Sequence, residues 1–428
     1  MARARVVDFA ATVVRTVAAL AAYALSILAP SSRDLWVFGA DSGNRFVGNP
    51  KYAFLHVAND HADEVRAVWV SDDPDVVTML RDSGYEAHDA RSPRGLLLTL
   101  LAEYVFVSHG PADATWWVTG GTDVVQCWHG APIKTVGDHL DRDWSRIGRF
   151  FFHLTGSNWA YHVTTGEAVA PVVEDAYHQE PESVLPIGYP RNDLLRPSSS
   201  DTATAPETSP SVPDATLGVD QSLVSEVRGL AEDHPVAFYM PTWREWDGGV
   251  DHGGVRLDDA VDFPALDAAF AARDAYLLVK LHPRERLDVD LSSLGHVVEL
   301  PADADPYPLL PYVDVLVTDY SSIYVDFLLT DQPVVFYPYD RPLYEERPGF
   351  EFDYDTVTPG PTPTEFQSFQ NDLLDTLDAV DSDDAVDGNA EQSDDYAGAR
   401  ARVRNRFIDH PDDPAAERLY QRLKTPDS

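Results

Sequence analysis

The sequence predicts an α/β protein with two Rossmann-like domains that face a central cleft. Two observations predict this fold. Short apolar runs of strand length alternate with stretches of helix length, and a segment rich in Ser, Thr, Pro and Asp, Pro197–Asp214, separates two such blocks. Alternation of this kind is typical of a parallel sheet covered by helices. Pairs of such domains commonly bind ligands between them, at the carboxyl ends of the strands.

The predicted strands are apolar runs bounded by turn-forming residues. They are Leu35–Phe38, Val65–Val70, Tyr104–Val107 and Val124–Trp128 in the first block, and Val236–Met240, Tyr276–Lys280, Val313–Val317 and Val334–Tyr337 in the second. Asn49–His61 and Asp75–Asp82 are predicted helices of the first block. Arg400–Leu423 is a predicted helix that is broken near Pro411 and Pro414, because proline cannot continue a helix.

These elements divide the chain into six predicted parts. They are an N-terminal helix (1–30), a first Rossmann-like domain (31–196), a linker (197–222), a second Rossmann-like domain (223–372), an acidic loop (373–398) and a C-terminal helix (399–428).

The N-terminal helix is predicted to contact a membrane surface. Arg5, Asp8, Thr12 and Arg15 follow the spacing of one helical stripe, and apolar residues occupy most of the other positions. Only Thr16–Ala29 is free of charge, and 14 residues are too short to span a bilayer. This pattern favours a helix that lies in the membrane interface. A signal peptide and a helix buried in the first domain are the alternatives.

Composition excludes several classes of protein. Acidic residues outnumber basic ones by 71 to 32, giving a formal net charge of −39, so a nucleic-acid partner is not expected. A hydrophobic content of 44% excludes a wholly disordered chain. The single cysteine, Cys127, excludes an intrachain disulfide framework and a cysteine-rich zinc site.

Lysine is rare in this chain, which makes its positions informative. There are 52 Asp against 19 Glu and 28 Arg against four Lys, a composition resembling that of extreme halophiles, in which salt screens the self-repulsion. Three of the four lysines, Lys51, Lys134 and Lys280, lie in or near the motifs described next. Each is therefore a candidate for a specific role.

Polar motifs follow the predicted strands. The motif Cys127–Lys134 begins where a strand ends and places His129 at the carboxyl end of that strand. A histidine in this position can be catalytic or can have a purely structural role. Three further motifs contain candidate ligand-binding residues: Gly188–Asp193 with Arg191 and Asn192, Tyr239–Glu245 with Thr242 and Arg244, and Val279–Pro283 with Lys280 and His282. An arginine in such a turn can hold a phosphate or a carboxylate.

The motif Val315–Ser322 is the most informative of the set. It contains Thr318 and Asp319 at the end of a strand, then Ser321 and Ser322 before an apolar helix predicted from Ile323. The start of a helix offers free N–H groups to an anion such as phosphate, although two serines can also serve only as caps.

Together, a histidine from each domain and a helix start suggest phosphoryl transfer. The sequence contains no Walker loop, no GxGxxG after a strand and no HExxH. His129, His139, His153 and His162 have no recognised metal spacing, so neither a protein-built metal site nor a resident cofactor is expected.

The motifs occur in the order known from one family. His129–Lys134, Gly188–Asp193, Pro241–Arg244, Leu281–Pro283, Thr318–Ser322 and the aromatic stretch from Phe336 to Pro361 together resemble the CDP-glycerol:poly(glycerophosphate) glycerophosphotransferases of wall teichoic acid synthesis. The resemblance covers roughly residues 36–361. One mild departure is Ala131, where the family usually has a small hydroxyl residue.

The resemblance implies a GT-B fold, peripheral attachment to the cytoplasmic face of the cell membrane, and CDP-glycerol or another CDP-alditol as the donor. It implies that 31–196 binds a lipid-linked acceptor polymer and that 223–372 binds the donor. An acceptor hydroxyl would attack the phosphorus that carries the alditol, and CMP would leave.

By the same resemblance, His129 corresponds to the base, and His282 to a second essential histidine near the donor phosphates. Ser321 and Ser322 match the turn that holds those phosphates. The remaining predicted substrate-binding residues are Lys134, Arg191, Asn192, Thr242, Arg244, Lys280, Thr318 and Asp319. A glycosyltransferase that uses a nucleotide sugar and a non-catalytic polymer-binding protein are the alternative functions.

Overall fold

The structure is a computed structural model that describes residues 2–140, 159–196, 214–244, 256–285, 287–381 and 396–425. Within these residues, twelve strands form two sheets. The strands are β1 Ser32–Phe38, β2 Arg66–Ser71, β3 Ala87–Asp89, β4 Ala102–Val107, β5 Asp123–Gln126, β6 Tyr161–Val163, β7 Val184–Leu185, β8 Val236–Met240, β9 Tyr276–Val279, β10 Val297–Glu299, β11 Val315–Thr318 and β12 Val334–Phe336.

Both sheets are parallel throughout and follow the doubly wound order. The first sheet has the order β3-β2-β1-β4-β5-β6-β7 and the second has the order β10-β9-β8-β11-β12. In each sheet the order reverses beside the first strand of the domain, where such folds bind ligands. This confirms the predicted α/β fold with two Rossmann-like domains.

Helices cover both sheets. The helices are α1 Ala2–Ser26, α2 Gly48–Asp60, α3 Pro74–Asp82, α4 Pro93–Leu101, α5 Ala170–Tyr177, α6 Gln221–Asp233, α7 Leu257–Ala260, α8 Phe263–Ala271, α9 Ile323–Phe327, α10 Arg341–Glu346, α11 Tyr354–Val357, α12 Phe366–Asp381, α13 Ala397–Phe407 and α14 Ala415–Lys424. Short 3-10 turns connect them, among them Pro190–Leu195 and Leu328–Thr330.

Two predicted boundaries differ from the structure. The acidic loop was expected from residue 373, but α12 continues to Asp381 because Leu373 and Leu377 lie on its inner face and are buried against the second sheet. The linker was expected to end at 222, but α6 begins at Gln221, where the side chain of Asp220 accepts the N–H groups of the first turn. Residues 197–213 and 382–395 lie outside the described residues.

The predicted C-terminal helix is two helices that belong to different domains. α13 packs on the second domain through Val403 and Phe407. The break near the prolines lets α14 cross back to the first domain, where Leu419 and Leu423 join the same core as Trp36. The N-terminus of α14 is capped by a buried residue of the first domain, Asp193, whose carboxylate accepts the N–H groups of the first two residues of α14 at 2.7 and 3.0 Å.

α1 has few contacts with the rest of the protein along its described side chains. Between residues 14 and 30 only the side chain of Ser26 is buried, which excludes a fully buried helix for this part. Near its C-terminal end, Tyr23 contacts Trp116 at 6.2 Å between ring centroids, and the Gly120 N–H donates to Ser26 Oγ at 2.9 Å. Within the described residues, no helix combines the length and apolarity that a membrane crossing requires.

Candidate active site

A cavity of about 640 Å³ lies between the carboxyl ends of the two sheets. The first domain lines it with the segment after β5, from Trp128 to Leu140, and with Tyr177. The second domain lines it with the loops after β8 and β9 and with Ser321. The cavity therefore occupies the position that the predicted fold assigns to a ligand.

The turn that carries His129 is held in a strained shape. Trp128 has a left-handed backbone with φ of 59°, a conformation that costs about 1–3 kcal/mol for a bulky residue. Asn49, which is fully buried on α2, donates from Nδ2 to the carbonyls of Cys127 and Trp128 at 2.9 and 3.0 Å. These bonds keep the turn in place and direct the next side chain, His129, into the cavity.

The neutral His129 imidazole carries its proton on Nδ1, the nitrogen that faces the Ser108 carbonyl. Nδ1 donates to the Ser108 carbonyl at 3.3 Å, so the neutral ring leaves Nε2 unprotonated. The ring stacks on His109 with 4.4 Å between centroids. Enclosure by the walls of the cleft, together with the neighbouring His109, lowers the pKa of His129 from 6.5 to about 3. His129 is therefore a neutral hydrogen-bond acceptor near pH 7, although its ring is exposed to the cavity.

His282 shows the opposite tautomer across the cavity. The Arg284 backbone N–H donates to its Nδ1 at 3.2 Å, so the ring proton lies on Nε2. Trp243 stacks on the ring with 4.8 Å between centroids and holds its orientation. His129 thus presents a proton acceptor, whereas His282 presents a proton donor.

The lining of the cavity is basic in a strongly acidic protein. Lys134 and Lys280 line it from opposite domains, and Lys280 Nζ also donates to the Ala302 carbonyl at 2.9 Å. None of the described residues that line it is Asp or Glu, although these make up 71 of the 428 residues. The field outside the cavity is negative, whereas the groups inside it are basic. The cavity therefore favours the binding of an anion.

Arg244 and Asp319 lie behind the cavity wall in a closed ionic network. Arg244 is buried and donates to both oxygens of Asp340 at 2.7 and 2.8 Å and to Asp319 at 2.8 Å. Asp319 also accepts the Thr242 N–H at 2.9 Å. Thr318 is fully buried and donates to the Met240 carbonyl at 2.8 Å. The network joins the loops after β8, β11 and β12 and thereby shapes the wall that Thr242 and His282 occupy.

Arg191 and Asn192 form a second buried network that joins the two domains. Arg191 Nη2 donates to Asp326 of α9 at 2.6 Å, and Asn192 Nδ2 donates to the other oxygen of the same carboxylate at 2.9 Å. Tyr307 donates its hydroxyl to Asp326 at 2.7 Å. Arg191 Nη1 also donates to the His129 carbonyl at 2.9 Å. The turn of the first domain is thus fixed relative to the helix that follows Ser322.

The serine turn lies against the histidine turn. A Cβ atom on Gly130 would lie 2.3 Å from Ser322 Oγ, so a larger residue there would require the Ser322 hydroxyl to rotate away. Ser321 Oγ is 3.5 Å from the N–H of Ile323, and α9 is only five residues long before a 3-10 turn follows. The helix predicted after these serines is therefore short, and the two hydroxyls and nearby basic groups are the polar features of this corner.

The structure brings together some of the sequence-predicted residues and buries others. His129, Lys134, Thr242, Lys280, His282 and Ser321 line the cavity, Ser322 is beside it, and Arg191, Asn192, Arg244, Thr318 and Asp319 lie behind its walls with protein partners. Direct contact of this last group with substrate stays a prediction. Lys51, another candidate, is fully buried and forms an ion pair with Asp305 at 3.6 Å.

Two residues of the site were not among the predictions. His109 follows β4 in the same way as His129 follows β5. Its position after a strand could have identified it as a candidate from the sequence. Trp243 lies inside the motif that yielded Thr242 and Arg244, but its stacking on His282 joins loops that are far apart in the sequence.

Comparison with known sequences gives relatives among the enzymes of teichoic acid synthesis. The family model described as "CDP-Glycerol:Poly(glycerophosphate) glycerophosphotransferase" matches residues 21–425. The teichoic acid glycerol-phosphate transferase of Staphylococcus aureus (strain NCTC 8325 / PS 47) is 28% identical over 311 residues, which are 71% of either chain. The teichoic acid poly(glycerol phosphate) polymerase of Bacillus subtilis (strain 168) is 24% identical over 341 residues, which are 78% of this chain and 42% of the relative.

Comparison with solved structures identifies proteins of the same fold. The wall teichoic acid polymerase TagF superposes with a TM-score of 0.72 and 20% sequence identity, over 99% of this chain and 97% of that one. The likeness confirms the GT-B type arrangement of the two Rossmann-like domains.

We predict that Arg191→Met destabilises the protein by about 3–5 kcal/mol, because it leaves the Asp326 carboxylate buried without its cation. Denaturant titration in molar KCl measures the free energy of unfolding. The matched control is Arg66→Met, which removes an arginine from a surface pair with Glu86 and should cost about 1 kcal/mol or less. Equal losses in the two variants would show that the Arg191 pair contributes nothing beyond a surface contact.

Proposed function

Because the chain belongs to the CDP-glycerol:poly(glycerophosphate) glycerophosphotransferase family, we propose that it transfers glycerol phosphate, or a related alditol phosphate, from a CDP-alditol to a hydroxyl group of a growing surface polymer, with release of CMP. The observation that carries the proposal is the pair of histidines with opposite tautomers in one cavity. A displacement at phosphorus needs a proton acceptor for the attacking hydroxyl and a donor for the departing phosphate.

The first half of the reaction uses His129. Its unprotonated Nε2 accepts the proton of the acceptor hydroxyl as the new oxygen–phosphorus bond forms. The hydrogen bond from Nδ1 to the Ser108 carbonyl stabilises the imidazolium that results. The attacked phosphorus is the one that carries the alditol.

The second half of the reaction uses the second domain. The bond from this phosphorus to the bridging oxygen breaks, and the electron pair leaves on the CMP phosphate. His282 Nε2–H and the ammonium group of Lys280 face this developing charge, and Ser321 offers a hydroxyl beside it. Lys134 supplies a further positive charge from the first domain. Because the lining contains no carboxylate among its described residues, no like charge opposes the pyrophosphate.

We predict that His129→Ala lowers turnover by roughly 10²-fold or more, a typical contribution of a general base, with little change in the dissociation constant of the donor. CMP release from CDP-glycerol in molar KCl measures the turnover, and calorimetry measures donor binding. His88→Ala is the matched control because His88 pairs with Glu86 on the surface of the first domain.

The pH profile supplies an independent check of this role. Since the pKa of His129 is lowered, its base form persists below the ordinary value of 6.5, so turnover should stay level between about pH 6 and 8 and fall only in more acidic buffer. Near-wild-type turnover in His129→Ala would remove this residue from the mechanism.

We predict that Lys280→Met and Ser321→Ala weaken donor binding, because each removes a polar group that lines the donor side of the cavity, and that His282→Ala lowers mainly turnover. Binding of CDP-glycerol and of a panel of nucleotide sugars is measured by calorimetry, and CMP release from the same donors by a coupled assay. Turnover of a nucleotide sugar with indifference to CDP-alditols would make the protein a glycosyltransferase. Binding without turnover of any donor would make it a polymer-binding protein.

We also propose that the acceptor is lipid-linked and that α1 holds the enzyme at the cytoplasmic surface of the membrane. Val14, Val17 and Leu25 of α1, and Leu28 just after it, expose between 61% and 81% of their surface. Apolar side chains in this number are typical of a helix that inserts into a membrane interface, and Arg15 beside them favours anionic lipid.

We predict that deletion of residues 1–30 releases the protein from anionic phospholipid vesicles but leaves turnover of a soluble acceptor analogue unchanged. Vesicle sedimentation at several salt concentrations measures the binding. Tyr396→Ser, which removes an exposed aromatic residue elsewhere on the surface, is the control and should still sediment. The proposed membrane attachment would be wrong if the truncated protein still bound the vesicles. It would also be wrong if the intact protein failed to bind them at every salt concentration.

A further inference from the structure

Two histidines and a glutamate converge where the first and last parts of the chain meet. His56 lies on α2 and His61 directly follows it, whereas Glu417 lies on α14. Glu417 Oε2 is 2.7 Å from His56 Nε2 and 2.9 Å from His61 Nε2. One ligand atom from each residue lies within 4.8 Å of the other two. None of these three residues lines the cavity that contains His129 and His282, and the proposed mechanism does not use them.

His56 lies between two carboxylates. Its Nδ1 is 2.9 Å from Asp60 Oδ2, so a carboxylate oxygen faces each ring nitrogen. A neutral imidazole has one N–H and can donate to only one of them. A proton on Nδ1 directed at Asp60 leaves Nε2 facing the cluster with its lone pair, and this is the nitrogen that a metal ion would bind.

The same arrangement is the usual support of a metal-binding histidine. A carboxylate on the remote nitrogen sets the tautomer and turns the other nitrogen towards the metal. Asp60 fills this role for His56. The His61 ring is held by stacking on Tyr420, with 3.5 Å between centroids and 15° between planes. The two ligand rings are therefore oriented by groups that do not themselves enter the cluster.

We propose that His56, His61 and Glu417 bind a zinc ion, with water as the remaining ligand. Two imidazole nitrogens and one carboxylate oxygen are a ligand set that zinc accepts, and the present contacts need to open only slightly to admit metal bonds of about 2.0–2.2 Å. The ion would join α2 to α14 and so fasten the end of the chain to the first domain. No spacing motif predicts this site, because 356 positions separate His61 from Glu417.

The experiment measures zinc in the full-length protein. The protein is dialysed against a chelator in molar KCl at neutral pH, supplied with zinc sulfate, freed of excess metal and analysed by inductively coupled plasma mass spectrometry. We expect one zinc ion per chain and a higher melting temperature in its presence, since a ligand that binds only the folded state stabilises it. Asp60→Asn should weaken zinc binding roughly 10–100-fold.

Two variants test the ligands and one serves as a control. His61→Ala and Glu417→Gln should lose both the bound zinc and the zinc-dependent rise in melting temperature. Glu417→Gln keeps the size of the side chain and one of its two acceptor oxygens, so it perturbs folding less than a truncation while it removes the anionic ligand. His88→Ala should retain the zinc, because its carboxylate partner lies outside the cluster. Absence of zinc from the wild-type protein, or equal zinc content in wild type and Glu417→Gln, would overturn the proposal.

Discussion

The buried ion pair between Arg191 and Asp326 is the interaction on which the rest of the site depends. A charge without water must be matched by partners, and removal of one partner is costly. Arg191 meets this requirement by binding the second domain through Asp326 and the catalytic turn through the His129 carbonyl. The Arg191 guanidinium therefore fixes the distance between the domains, the path of the strained turn and the position of the helix that follows Ser322. The cavity between them takes its shape from this coupling.

The distribution of charge distinguishes the cavity from the surface. A net charge of −39 repels anions at a distance, yet the substrate we propose is itself an anion. Salt limits the repulsion to short distances. The binding of a ligand that reaches the cleft is therefore determined by the groups that line it. Those include Lys134 and Lys280, two of only four lysines in the chain. Their placement is compatible with recognition of phosphate by local contacts rather than by long-range attraction.

The sequence predicted the regular parts of the fold and the turns that form the site. The eight apolar runs were visible because buried parallel strands are continuously apolar, as in Val236–Met240. The strands β3, β6, β7 and β10 have two or three residues each and, unlike β12, lie in no continuous apolar run as long as Val334–Tyr337, so they were not predicted. Local motifs located His129 and His282, but not the partners of Arg191 or Arg244. Whether an arginine binds substrate or a buried aspartate such as Asp326 depends on contacts between distant segments, which spacing does not encode.

The return of α14 to the first domain has a consequence for synthesis. Leu419 and Leu423 complete the core that contains Trp36, so the first domain lacks part of its apolar interior until both leucines, which follow the second domain in the sequence, have left the ribosome. Domains that are contiguous in sequence can fold one after another during translation, N-terminal domain first. Here the domain begun first is finished last, and part of its apolar interior stays uncovered in the nascent chain while the second domain is being made.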